Sequence, residues 1–210
     1  MKVKLKNNLN YIIVADLYEP DKNAPVIIFS HGFKSGRHSP RNMFISEALN
    51  KNGFSTFLLD FTGHGESEGT LDESTTIQQS EDLKYCIDFL EEKGFTKIGL
   101  SGSSFGGASA LMRTAEDKRV NALILRYSTM NACFNFAKPC YELADKITVP
   151  TMLIVGENDH PILEENQQFL DMLGVDKELV IVPGAIHAFE EPDQLEVAME
   201  ASLRWYEKYL

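Results

Sequence analysis

One serine stands at the centre of a short stretch, bounded by glycines, that suits nucleophilic chemistry. Residues 102–106 read Gly-Ser-Ser-Phe-Gly, which fits the pattern G-x-S-x-G with Ser104 in the middle. An apolar run precedes this stretch and an alanine-rich run follows it, which predicts a strand, a sharp turn and a helix. Such a turn requires small residues two positions before and after the serine, and it holds the hydroxyl clear of the backbone. The alternative is an ordinary flexible turn without chemistry.

The chain has five histidines, and their positions in the sequence indicate which of them could act as a base for the serine. A serine hydroxyl is a useful nucleophile only when a base takes its proton. His187 directly follows the last predicted strand and comes after both the serine and an acidic loop, which predicts that it is this base. His31 and His64 lie in loops after earlier strands, and we expect them to shape those loops. His38 and His160 lie in polar loops.

An acidic loop supplies the candidate partner for the histidine. Asp159 lies directly beyond the strand predicted at 149–156, where its carboxylate would fix the imidazole tautomer and stabilise the imidazolium. Glu157 is only two residues away and is the alternative. The residues that follow the strand predicted at 120–127 include no carboxylate, so we do not expect the acid to come from there.

Apolar runs bounded by turn residues predict the strands that position these loops. They are an N-terminal hairpin at 3–6 and 10–18, then strands at 26–30, 54–60, 97–101, 120–127, 149–156 and 178–182. Helical spacing predicts helices at 41–52, from the capping pattern Thr75-x-x-Gln78 to Lys93-Gly94, and at 105–115, 161–173 and 192–209.

This alternation predicts an α/β fold, with a mostly parallel, twisted sheet of seven or eight strands and helices on both faces. In open sheets of this kind, ligands bind beyond the carboxyl ends of the strands. Ser104, Asp159 and His187 each follow a predicted strand, so we expect them to meet at that edge.

The composition is typical of one globular domain spanning residues 1–210, because no repeat or linker-like stretch divides the chain. The net charge of −11 argues against nucleic acid and anionic membranes as partners. No apolar run is long enough for a membrane span, and the first ten residues do not read as a signal peptide, so the expected location is the cytoplasm. The three cysteines form no C-x-x-C and no HExxH is present, so we expect no metal site. Nucleophilic chemistry by a serine and a histidine needs no organic cofactor, so we expect none.

The chain order Ser104, Asp159, His187 is that of the α/β-hydrolase superfamily, which the chain resembles over essentially its whole length. Five landmarks carry the resemblance: His31-Gly32-Phe33, residues 60–69, the serine turn, the Asp159 loop and the His187 loop. Residues 60–69 with the serine turn are similar to cinnamoyl and feruloyl esterases, whereas 183–192 is similar to dienelactone-hydrolase-like proteins.

Two departures from those relatives affect the expected substrate. Dienelactone hydrolases carry cysteine as the nucleophile, and serine replaces it here. The esterases usually carry a large lid, where this chain has only the short connection 128–148. An open pocket suits small or extended soluble esters better than long lipids.

The resemblance also implies an oxyanion hole made by the backbone N–H groups of Phe33 and Phe105. The short connection could add an apolar wall to the substrate pocket, and the alternative is that its residues only pack on the sheet. The residues concerned are Met130, Phe134, Phe136 and Tyr141.

The expected function is that of a serine hydrolase, a carboxylesterase that cleaves small soluble acyl or aromatic esters through an acyl-enzyme. The alternatives are a thioesterase or acyl-peptide hydrolase with the same three residues, and a non-catalytic binding protein on a hydrolase scaffold.

Overall fold

The protein, seen in a computed structural model, is described for residues 1–21, 24–131 and 140–210. Eight strands of this described part form one sheet. They are β1 (Lys2–Lys6), β2 (Ile12–Tyr18), β3 (Val26–Ser30), β4 (Ser55–Leu59), β5 (Ile98–Ser103), β6 (Val120–Arg126), β7 (Thr151–Gly156) and β8 (Lys177–Val182).

The strand order is β1-β2-β4-β3-β5-β6-β7-β8, and all pairings from β4 to β8 are parallel. Only β1–β2 and β2–β4 pair antiparallel, because a short turn joins β1 to β2 while the later strands are mostly separated by helical crossovers. The predicted α/β fold with a mostly parallel sheet is confirmed. The carboxyl ends of β3 to β8 therefore lie at one edge.

Five α-helices of the described ranges connect and cover the strands. They are α1 (Pro40–Lys51), α2 (Thr76–Glu92), α3 (Phe105–Glu116), α4 (Ile162–Met172) and α5 (Pro192–Tyr209). Side-chain caps fix two of their starts, since the hydroxyls of Ser39 and Thr75 accept the N–H groups of Asn42 and Gln78. The sequence did not predict the two short 3-10 helices, Leu71–Glu73 and Cys140–Lys146.

The apolar core has two layers, one on each face of the sheet. Alternate residues of β3 show the division: Ile28 packs with α2, α3 and α4, whereas Ile27 and Phe29 pack with α1 and α5. Every residue of β3 is buried, as expected for a strand covered on both faces. In the described part of the chain, no helix is long and apolar enough to cross a bilayer.

Candidate active site

The turn between β5 and α3 holds Ser104 in an unusual backbone conformation, with φ 50° and ψ −122°. A Cβ on Gly102 would lie 2.6 Å from the Cα of Gly107, and one on Gly106 would lie 2.6 Å from the carbonyl oxygen of Ser30. The chain can therefore reverse here only with glycine at both positions. The geometry presents the Ser104 side chain at the carboxyl edge of the sheet.

Ser104, His187 and Asp159 form one hydrogen-bonded line. Nε2 of His187 lies 3.1 Å from Oγ of Ser104, and Nδ1 of His187 lies 2.8 Å from Oδ2 of Asp159. The Asp159 side chain is 7% exposed and the His187 side chain 41% exposed. The loops after β5, β7 and β8 thus bring together three side chains that are far apart in the sequence. Such a line can pass a proton from hydroxyl to imidazole while the carboxylate stabilises the resulting charge.

Glu157, the alternative acid, has a different contact. Its Oε2 accepts the backbone N–H of Gly184 at 2.8 Å and so ties the loop after β7 to the loop after β8. The structure places Asp159, and not Glu157, against the imidazole.

Tyr127 supports the imidazole from the side. Its ring packs edge-on against His187 and against Phe189, with centroids 4.9 Å apart in each case. No sequence motif singles out this residue. Its position directly after β6, at the edge where ligands are expected, was the available signal.

Phe33 and Phe105 both lie beside the serine. A Cβ on Gly32 would lie 3.3 Å from the Cβ of Ser104, so the backbone that leads into Phe33 runs against the serine. Phe105 is the first residue of α3, and its ring centroid lies 5.8 Å from that of Phe33. In the part of the chain that the structure describes, the Phe33 N–H has no protein acceptor.

His31 and His64 are buried beneath these loops, with ring centroids 4.9 Å apart. Nε2 of His31 accepts the N–H of Phe61 at 3.2 Å and thereby joins the loop after β3 to the loop after β4. Burial lowers the pKa of His31 to about 4, so its imidazole is neutral at pH 7. These contacts give His31 a structural role.

Asp60 organises the loop at residues 60–69. Its carboxylate accepts the backbone N–H groups of Arg37 at 2.7 Å and of Glu66 at 3.0 Å, and it pairs with the Arg37 guanidinium. Gly65 has φ +52°, and a side chain there would collide with Asp60. This polar cluster holds the second landmark in place.

A cavity of about 180 Å³ opens beside Ser104. Its lining residues are Gly32, Phe33, Ser35, Ser39, Arg41, Ser103, Ser104, Tyr127, His187 and Ala188. Among the described residues, no group of three or more His, Cys, Asp or Glu is arranged to hold a metal ion.

Met130 and Tyr141, the two described residues among the four suggested for an apolar pocket wall, do not line this cavity. Met130 is fully buried in the core, and Tyr141 packs on Phe169, with ring centroids 6.3 Å apart. Neither lines the cavity, because both pack in the core layer on the α2, α3 and α4 face of the sheet. The pocket expectation is therefore corrected for these two residues. Phe134 and Phe136 lie outside the described residues.

Comparison with known families assigns the class of protein. Residues 25–139 match the family described as alpha/beta hydrolase fold, and residues 113–193 match serine aminopeptidase S33. The first match alone spans more than half of the chain. The chain therefore belongs to the α/β hydrolase fold family, as its resemblance to that superfamily implied.

The relatives that this chain matches carry different names. A Mycobacterium tuberculosis protein that carries the name of a phosphoribosyl transferase is 30% identical over 203 residues, 94% of this chain and 44% of its own length. The chain thus spans less than half of that relative. A dienelactone hydrolase from Anabaena variabilis is 27% identical, with a TM-score of 0.87 over 100% of this chain and 97% of the other. The Est1E protein of Butyrivibrio proteoclasticus, solved with ferulic acid, shares the fold with a TM-score of 0.88 and 21% identity over 98% of both chains.

Proposed function

We propose that this chain is a serine hydrolase, a carboxylesterase that acts on small soluble acyl or aromatic esters. The observation that carries the proposal is the hydrogen-bonded line from Asp159 through His187 to Ser104. Membership of a hydrolase family and the strained turn at the serine support it.

The proposed reaction has two steps. Ser104 Oγ attacks the ester carbonyl carbon while His187 Nε2 takes the hydroxyl proton. The tetrahedral intermediate then expels the alcohol, which receives that proton from His187, and an acyl-serine remains. In the second step, His187 takes a proton from water, the resulting hydroxide attacks the acyl carbon, and Ser104 leaves with the proton returned to it.

Two backbone N–H groups are proposed to stabilise the oxyanion of both steps. Phe33 and Phe105 flank the serine, and a main-chain donor works whatever side chain it carries, so bulky phenylalanine is acceptable at both positions. The amino end of α3, which begins at Phe105, adds a favourable dipole for the negative charge.

Labelling with a fluorophosphonate probe tests the nucleophile. We expect the wild type and Ser103→Ala to be labelled and Ser104→Ala not to be labelled. Ser103 is the matched control because it lines the same cavity next to the nucleophile. Labelling that persists in Ser104→Ala would refute the assignment, and no labelling of the wild type would favour a non-catalytic binding protein.

A panel of substrates tests the reaction class. Since the cavity holds about 180 Å³, p-nitrophenyl esters of short acids should be cleaved faster than those of long acids. Faster cleavage of matched thioesters or aminoacyl amides would instead assign the same three residues to a thioesterase or an acyl-peptide hydrolase.

A further inference from the structure

The cavity beside Ser104 is basic, although the chain as a whole carries a net charge of −11. Among the described residues that line it, Arg41 is the one with a permanent charge, and none is Asp or Glu. Basic side chains are outnumbered by acidic ones in this protein, 20 to 31, so a basic cavity at the nucleophile needs an explanation.

Arg41 differs from most arginines of the chain in having no carboxylate partner. Four of the six arginines form ion pairs, namely Arg37, Arg113, Arg119 and Arg204. Over the described ranges, the Arg41 side chain forms no ion pair and no hydrogen bond, and it is half-buried. A guanidinium without a partner at a cavity is available to bind an anion in a planar, two-pronged contact.

Arg126, the other arginine with no ion pair in the described part of the chain, lies directly behind the same cavity. Arg126 is 0% exposed, and it donates to the side-chain oxygen of Asn42 at 2.8 Å. Its Nε and Nη1 have no partner among the described residues. It pairs with Ser103 across β5 and β6 and directly precedes Tyr127, and both of these neighbours line the cavity.

The positive charges of Arg41 and Arg126 influence each other's protonation and the electrostatic potential in the cavity. Burial lowers the pKa of Arg126, and the positive charge of Arg41 acts in the same direction. An arginine nevertheless keeps its proton in proteins, so the interior behind the cavity carries a positive charge. Low-dielectric surroundings extend the reach of such a charge into the cavity.

The amino end of α1 adds to the same field. The helix has 12 residues, and its cap Ser39 lines the cavity together with Arg41. The positive end of its dipole therefore lies beside the two arginines, and each of the three favours a negative ligand.

We propose that the substrate of this chain carries a carboxylate, which Arg41 binds in the cavity beside Ser104. Arg126 and the amino end of α1 strengthen the attraction without touching the substrate. The cavity is small, so the carboxylate lies within a few bonds of the scissile carbonyl, as in the half-ester of a short dicarboxylic acid. This inference rests on the proposed esterase function and makes its substrate class specific.

Matched ester pairs test the proposal. On the acyl side, p-nitrophenyl hydrogen glutarate is compared with p-nitrophenyl valerate. On the alcohol side, 4-acetoxybenzoate is compared with phenyl acetate. In the wild type we expect kcat/KM to be at least about tenfold higher for the anionic member of one pair, and the advantage to shrink as salt is added. The pair that shows the advantage identifies the side that carries the anion.

Variants of Arg41 separate anion binding from other roles. Arg41→Met should lower kcat/KM about tenfold or more for the preferred anionic ester, mainly through KM, and change the neutral ester less than about threefold. Arg41→Lys should retain part of the preference. The control is Arg204→Met on α5, whose side chain is 60% exposed and which should leave both esters unchanged.

Three results would overturn the proposal, and they differ in what they say of the esterase function. Cleavage of neutral esters with no anionic preference in either pair, or equal losses on both members in Arg41→Met, would refute anion recognition and leave the esterase intact. No ester cleavage together with no fluorophosphonate labelling would refute both.

Discussion

At the residue scale, Asp159 and Glu157 show how two acids in one loop take different roles. Asp159 is buried against the imidazole, whereas Glu157 holds the backbone of Gly184. A carboxylate in the first position orients His187 and stabilises its charged form, because it accepts the Nδ1 proton. A carboxylate in the second position stabilises only the loop.

The amide variant of each acid separates these roles. Asp159→Asn should lower kcat by about 10³–10⁴ because the neutral amide favours the wrong tautomer of His187. Glu157→Gln keeps a side-chain oxygen for the Gly184 N–H, so we expect a loss of less than about threefold. Steady-state hydrolysis of p-nitrophenyl acetate measures both, and near-normal activity of Asp159→Asn would move the acid role to Glu157.

At the element scale, the tight turn from β5 to α3 depends on glycines, because a side chain at Gly102 or Gly106 would collide with neighbouring backbone. Ser104 adopts φ 50° because α3 begins immediately after the strand, and residues near the turn pack directly on the loop after β3. Strain of this kind persists only where the surrounding structure enforces it. The carbonyl oxygens of Ser30 and His31, which face Gly106, are that surrounding structure.

Replacing Gly106 by alanine therefore tests the element. The added Cβ would collide with backbone atoms that cannot rotate away, so we expect a loss of about 2 kcal/mol or more in the free energy of unfolding and a large loss of the proposed ester hydrolysis. Gly174→Ala is the control, because its Cβ would meet nothing within 4 Å. Urea unfolding measures the difference, and equal stability of the two variants would contradict the explanation.

At the scale of the whole molecule, a buried histidine links pH to the stability of the fold. His31 joins the loops after β3 and β4, and burial lowers its pKa to about 4, against about 6.5 in an unfolded chain. Between these two values the unfolded state binds the proton more tightly than the folded state. Folding stability from this group is therefore complete above pH 6.5 and falls as the pH drops towards 4.

The expected slope is up to about 1.4 kcal/mol per pH unit in that window, and it comes from one residue. His31→Gln should reduce the slope there, even if it lowers stability at every pH. His160→Gln, whose side chain is 58% exposed, should leave the slope unchanged. Urea unfolding from pH 4.5 to 7.5 measures all three proteins, and an unaltered slope in His31→Gln would show that another group dominates.

Much of the architecture could be predicted from the sequence because its signals are local. Helix α5 has the predicted bounds, and most other elements differ from prediction by one or two residues, since periodicity and turn residues act within a few positions. The positions of Ser104, Asp159 and His187 directly after predicted strands were local information too, and they indicated one edge of the sheet. The short 3-10 helices were not predicted because their sequences lack a periodic hydrophobic pattern.

Only the tertiary structure decided which residues face the serine. The sequence could not separate Asp159 from Glu157, place Met130 and Tyr141 away from the cavity, or draw attention to Tyr127, Arg41 and Arg126. From the sequence alone, an apolar residue in a core cannot be distinguished from one in a pocket. In the same way, an arginine with a carboxylate partner cannot be distinguished from one without. Those distinctions depend on which loops meet across the sheet, and that is set by packing between segments far apart in the chain.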